Sequence, residues 1–304
     1  MRYQKQPLSF DAQADQLLER GLVAEREALI RRLQSTSYFR LSGYLYYFRE
    51  GDTEQFKAGT SLGDIWNLCC FDQRLRTLLM DAIEAVEVYT RTQLAYHLAN
   101  NTKDAFSYLE AAKLPNLDST QYSNWLKKLD VQVTRSKKAK EEFVIHFFKK
   151  YDESHLPIWS LIELMDFGAT FTFYKGSSDD TKKQIASQLA IPDVVLTSWL
   201  QTLYSLRNRC AHHARLWNWQ TGVKVKLPNV RKYPLWHDPK PSQNRLDVVL
   251  YILRNLLYKI SPNSEWHQRV ESLFTEFSDI PIYPMGLNKS WQDHPLWNPN
   301  TTSK

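Results

Sequence analysis

Apolar positions recur at helical spacing along most of the chain. The clearest run begins at Ser61, where Ile65, Leu68, Leu75, Leu78, Leu79, Ala82, Val86, Leu94 and Leu98 mark one long amphipathic helix. Ser61 with Asp64 three residues on has the spacing of a capping box. Unbroken from Leu62 to Asn100, such a helix would extend about 60 Å at ~1.5 Å per residue. A compact domain needs less, so a kink or a contact with a second subunit is expected. Upstream, Ser9 to Glu19 opens on a good N-cap and stops at Gly21, and Glu25 to Gln34 offers Leu29, Ile30 and Leu33 to a core.

Helical patterns continue downstream. Tyr122 to Tyr151 is one predicted helix. Pro157 opens a second, apolar one from Ile158 to Tyr174 that Gly176 closes, and Asp179 to Ala190 follows. Ile191-Pro192-Asp193 resets the chain for a helix running from Asp193 to near Leu216; Leu246 to Ile260 and Glu265 to Phe277 complete the set. One segment is ambiguous: between Thr36 and Arg49 the aromatic, basic run around Gly43 alternates in a way that also fits a short strand. The proline- and tryptophan-rich tail either wraps onto the body through Trp291 and Trp297 or hangs free at its end. An all-α fold is therefore expected: an N-terminal helical and aromatic cap over residues 1–60, a helical core over 61–260, and a C-terminal helix with its tail over 261–304, all in one continuous globular unit.

Composition narrows the class. With 304 residues, 43% hydrophobic and 13% aromatic, the chain can bury a large core, and nine glycines with thirteen prolines exclude a fibrous or disordered polymer. A net charge of +6 leans toward a polyanionic partner but is a modest bias at this length. Three cysteines, two adjacent at Cys69 and Cys70, make no disulfide framework, which suits a reducing cytoplasm. The start, MRYQKQPLSF, has no apolar leader, and no apolar stretch is long enough for a membrane span. Neither a P-loop nor a GxGxxG run is present, so no nucleotide cofactor is expected.

The densest chemistry lies in Arg207-Asn208-Arg209-Cys210-Ala211-His212-His213. An RNA strand carries its own nucleophile, the 2′-hydroxyl. Cleavage needs a group to take that proton, a group to protonate the leaving oxygen, and positive charge at the phosphate. Imidazoles titrate near neutrality and guanidiniums grip phosphate oxygens in pairs, so the cluster is a kit for cutting RNA without a metal. Adjacent histidines point about 100° apart on a helix and rarely share an ion, and the arginines repel a cation, so no metal is expected. Arg207 falls in the register of Leu196, Leu200 and Leu203, where an inward arginine needs an anion or a carboxylate. Arg207 and His212, five residues apart, diverge by about 140° on an ideal helix. Convergence therefore needs a helix end near Cys210 or the same helix of a second subunit. On these residues alone, a structural ion-pair anchor competes with catalysis.

Around this cluster, Glu84, Glu87 and Arg91 share a helix face and are candidates to orient it, or form an ordinary solvated ladder. Lys137 and Lys138 belong to a basic stretch that suits a phosphate backbone. The segment from Trp217 to Arg245 interleaves Lys224, Lys226, Arg231, Lys232, Lys240 and Arg245 with Trp217, Trp219, Tyr233 and Trp236, a pattern for stacking bases or for packing a connection.

The blocks SFDAQADQLLERGL, SYFRLSGYLYYFRE, FDQRLRTLLMDAIEAVEVYTRTQLAYHLA, LPIWSLIELMDFGATFTFYKG and LRNRCAHHARLWN, in that order, resemble the Abi-like family of bacterial abortive-infection proteins of the AbiD/AbiF type. That family is similar to the HEPN superfamily of helical ribonucleases, whose signature is an arginine, usually a polar residue, and a histidine after four to six intervening residues. Arg207, Asn208 and His212 match it, and His213 fits the next spacing. The resemblance implies a HEPN-like helical bundle with extra helices at both ends, and a homodimer whose paired motif helices build a composite site. It implies a metal-independent endoribonuclease of antiphage defence that leaves 2′,3′-cyclic phosphates, with no cofactor, and with RNA as substrate or as a regulatory small RNA. In this picture Arg207, Asn208, His212 and His213 are catalytic, while Arg209 and Arg215 hold flanking phosphates. The competing expectation is a non-catalytic RNA-binding or toxin-regulating helical module.

Overall fold

A computed structural model describes Gln4 and residues 6–298. Among the described residues the chain is all-α, with no sheet. Twelve α-helices lie among the described residues: α1 (Phe10–Glu19), α2 (Arg26–Thr36), α3 (Tyr38–Leu45), α4 (Leu62–Thr102), α5 (Ser119–Ala139), α6 (Glu142–Lys150), α7 (Ile158–Leu161), α8 (Phe167–Gly176), α9 (Asp179–Gln188), α10 (Asp193–Ala211), α11 (Leu246–Ile260) and α12 (Trp266–Glu276). The chain divides into two compact units, one holding the described residues up to Thr77 with Val270–Pro281, the other Leu78–Arg269 with the described residues from Ile282 on. No helix among the described residues is long and apolar enough to cross a membrane.

The first unit closes around Leu17, Leu29, Leu33, Leu41, Leu45, Ile65 and Leu68, all buried. Phe71 meets Phe274 edge to face at 5.3 Å, the geometry that ring quadrupoles favour. The run from Thr36 to Arg49 is helical, not a strand: Ser37 caps α3 by accepting from the Arg40 amide, and a 3-10 turn over Tyr46–Phe48 follows. Helix periodicity wins there because Leu41, Tyr44 and Leu45 bury one face.

In the second unit α11 is buried on nearly every side, from Leu246 through Leu257, and is the core element on which its neighbours pack. Its Arg254 donates to the Trp297 carbonyl at 2.9 Å, and Trp291 and Trp297 are buried, so the tail wraps onto this unit. The tail's last six residues, 299–304, lie outside the described residues.

Three predicted helices differ in extent. The one expected from Tyr122 to Tyr151 is two, because Lys140 turns into the left-handed region at φ 58° between α5 and α6. The apolar helix expected from Ile158 to Tyr174 breaks at Met165–Asp166, where Asp166 leaves the helix to cap α8 through the Ala169 amide at 2.7 Å. An aspartate interrupting an apolar run acts here as a helix start. The third difference, at the end of α10, shapes the candidate site.

Candidate functional site

Helix α10 stops at Ala211, five residues short of the expected Leu216. The His213 amide donates to Cys210 O at 3.0 Å and the Ala214 amide to Arg209 O at 2.9 Å, with His213 at φ 57°. This pair of reversed bonds with a left-handed residue is a Schellman ending, which glycine usually makes. A histidine accepts the position at a local cost of about 1 kcal/mol. With neither glycine nor proline at the stop, periodicity had no signal to end on. The turn leaves both His212 and His213 exposed.

Arg207 lies beside the core rather than in it. The buried stripe of α10 runs through Leu196, Trp199, Leu200, Leu203, Leu206 and Cys210, so Leu206 takes the inward position expected for Arg207. Half-buried at the edge of that stripe, Arg207 acts on two carboxylates, Glu87 of α4 and Asp166 at the start of α8. Glu87 is buried and ion-paired with Arg91 one turn on. Burial pushes its carboxyl up from the usual range, against the pull of Arg91 and Arg207. Asp166 behaves oppositely. Its partial burial is outweighed by hydrogen bonds from Lys128 Nζ at 2.8 Å and the Ala169 amide, with Arg207 adding to the fall below the usual carboxylate range. Three cations, Arg91, Lys128 and Arg207, thus face two carboxylates, and the cluster is one charge positive.

Gly168 permits this convergence. A Cβ there would stand 3.2 Å from Asp166 Oδ1, 3.2 Å from the Tyr204 ring and 3.3 Å from Lys128 Nζ. Asp166, Lys128 and Gly168 were absent from the sequence-derived site, though the Asp-x-Gly step in an apolar run marked the place. Glu84 is exposed and forms no ion pair among the described residues.

The remaining candidates separate into committed and exposed side chains. Arg209 donates to the Arg215 carbonyl at 2.8 Å and its guanidinium lies 5.6 Å from the Trp219 ring centre, so it binds the following loop to α10. Arg215 is half-buried. Arg245 donates to Pro284 O at 2.7 Å. Trp217 and Trp236 are buried at 1% and 2% exposure, so they pack the connection and present no stacking face. Trp236 stands 4.9 Å from Trp199, whose indole N–H donates to Lys226 O at 3.0 Å. Around this packed loop Lys224, Lys226, Arg231 and Lys232 are exposed. Lys137 and Lys138 are exposed on α5, with Lys137 Nζ 3.4 Å above the Phe148 ring. Among the described residues no three His, Cys, Asp or Glu side chains are grouped to share a metal ion.

A helical protein whose site is an Arg-Asn-x-x-x-His helix end, backed by an ion cluster, can bind an oxyanion and move protons. The chain belongs to the Abi-like protein family, whose family model matches residues 31–218. That span contains Glu87, Arg91, Lys128, Asp166 and the whole Arg207 to His213 segment. No curated protein and no solved structure matches the chain.

Proposed function

We propose that the protein is a metal-independent endoribonuclease of the HEPN type, acting in the cytoplasm in bacterial abortive infection of the AbiD/AbiF kind. One observation carries the reading: two exposed imidazoles at a helix end, with a half-buried guanidinium in the field of the Glu87 and Asp166 carboxylates just over one turn earlier. Arg207 grips the scissile phosphate while Glu87 and Asp166 fix its direction; Asn208 orients the phosphate or an imidazole. One imidazole of His212 or His213 takes the 2′-hydroxyl proton as the 2′-oxygen attacks phosphorus. The P–O5′ bond breaks, and a protonated imidazole delivers its proton to the departing 5′-oxygen. The products are a 2′,3′-cyclic phosphate and a 5′-hydroxyl.

The early end of α10 meets one of the two conditions for bringing Arg207 and His212 together, and the same helix of a second subunit would meet the other. The end of α10 is open to solvent at Ala211, His212 and His213. A second copy laid on it would bring the imidazoles of one subunit to the guanidinium of the other, in a homodimer.

A second reading, a non-catalytic RNA-binding or toxin-regulating module, draws on the exposed Lys137, Lys138, Lys224, Lys226, Arg231 and Lys232. Purified protein incubated with total RNA in EDTA decides between them. The ribonuclease yields new 2′,3′-cyclic phosphate ends, and His212→Ala lowers the rate at least about 100-fold while RNA binding persists. Unchanged RNA, or equal cutting by the variant, ends the proposal.

A further inference from the structure

Beside α10, on the stripe that leads to His212, lies a cavity of about 120 Å³. The helix supplies Gln201, Thr202 and Ser205, and the loop folded over it supplies Trp219 and Lys224. The cover is firmly seated: the Lys226 amide donates to Ser198 Oγ at 3.0 Å, and the Val225 amide to Gln243 O at 2.7 Å. Trp219, otherwise buried, turns its residual 9% exposure to this space. Within the cavity Thr202 is committed to Ser198 O, whereas the side chains of Gln201, Ser205 and Lys224 hydrogen-bond to no other described residue.

We propose that this cavity is a nucleobase subsite that takes a base presenting a carbonyl oxygen (uracil, guanine or cytosine) over adenine, in the RNA held at the helix end. It rests on the ribonuclease reading for its RNA and adds the selectivity of the cut.

Its chemistry argues for a planar, polar, partly aromatic ligand. An indole edge provides an apolar wall, and an amide and a hydroxyl reach a base edge. Lys224 carries an ammonium, which only donates. Uracil, guanine and cytosine each offer it a carbonyl oxygen, whereas adenine has none and its edge combines ring nitrogens with an amino donor. Position fits as well. Ser205 and His212 are seven residues apart, so they differ by only about 20° around the helix and about 10 Å along it, the scale of a short stretch of RNA backbone. A strand cut at His212 and running back along this face of α10 would pass over the cavity mouth.

The test uses binding that does not require cleavage. Fluorescently labelled 2′-deoxy tetranucleotides, one with uracil bases and one with adenine bases, are titrated against the full chain by anisotropy. Wild type binds the uracil oligonucleotide roughly tenfold more tightly, the worth of one charge-assisted hydrogen bond. Lys224→Gln and Ser205→Ala, both on exposed positions, each bring the ratio to about threefold or less. His212→Ala keeps the wild-type ratio. A ratio near one in wild type, or one that both cavity variants leave unchanged, overturns the subsite. Cleavage of the matching ribonucleotides is followed in parallel. A preserved ratio without cutting removes the nuclease and leaves the subsite, while cutting with no ratio does the reverse.

Discussion

Helix α4 carries two carboxylate–arginine pairs at the same i, i+4 spacing, Asp72 with Arg76 and Glu87 with Arg91. The first is sealed. Asp72 is fully buried, Arg76 is 6% exposed, and the Tyr44 hydroxyl donates to the same carboxylate at 2.7 Å. Burial, reinforced by the Asp72 charge, pushes the Tyr44 phenol well above its ordinary value, so that hydroxyl stays a donor. The second pair is open on one side, because Arg207 and Asp166 act on Glu87. Identical spacing therefore yields a sealed internal strut in one place and a pair shared with Arg207 of α10 in the other. What separates them is the neighbour each carboxylate has left over.

The sharpest way to test that contrast is to remove each pair's key charge. Asp72→Ala strands a buried guanidinium and should cost about 3–5 kcal/mol, a fall in Tm of roughly 10 °C. Arg207→Ala should shift Tm far less and instead lower RNA cleavage at least about 100-fold, since it removes a positive charge from the phosphate. If Arg207→Ala unfolds the protein as readily and leaves the RNA phenotype alone, the two pairs are both struts.

A smaller effect comes from Glu87→Gln. The folded protein raises the Glu87 carboxyl above its unfolded value, so the stability tied to its protonation is complete below about pH 4.5 and is lost as pH rises through the folded value. Melting curves from pH 7 down to 4.5 should show wild type gaining on the glutamine variant. A flat or reversed difference would mean that Arg91 and Arg207 outweigh burial.

The smallest is His213→Gly, which relieves the left-handed backbone and should add about 0.5–1 kcal/mol of stability. Calorimetry of the variant gives the sign, and a loss of stability would show that the imidazole itself braces the turn.

Much of this architecture could be read in advance, and the lapses have particular causes. Helices α1, α2, α4, α9, α11 and α12 follow from caps and apolar spacing. Asp72 stands in the same register as Leu68, Leu75 and Leu79, so the sealed pair was visible as a charge in an apolar stripe. The end of α10 was hidden because a histidine occupies the place where glycine would announce a stop. Asp166 escaped because the residues on both its sides are apolar enough to continue a helix. Local pattern also could not distinguish a tryptophan that lines a cavity from one closing a loop; Trp217 and Trp236 turned inward, and Trp219 lines a cavity.

Arg209 links features that are far apart in kind. Its guanidinium faces the Trp219 ring and holds the Arg215 carbonyl, two residues beyond the left-handed His213. Whatever settles against Trp219 therefore presses on the same arginine that anchors the polypeptide leaving the imidazoles. On the proposed reading, occupancy at the indole and order at His212 and His213 would be thermodynamically linked, each favouring the other.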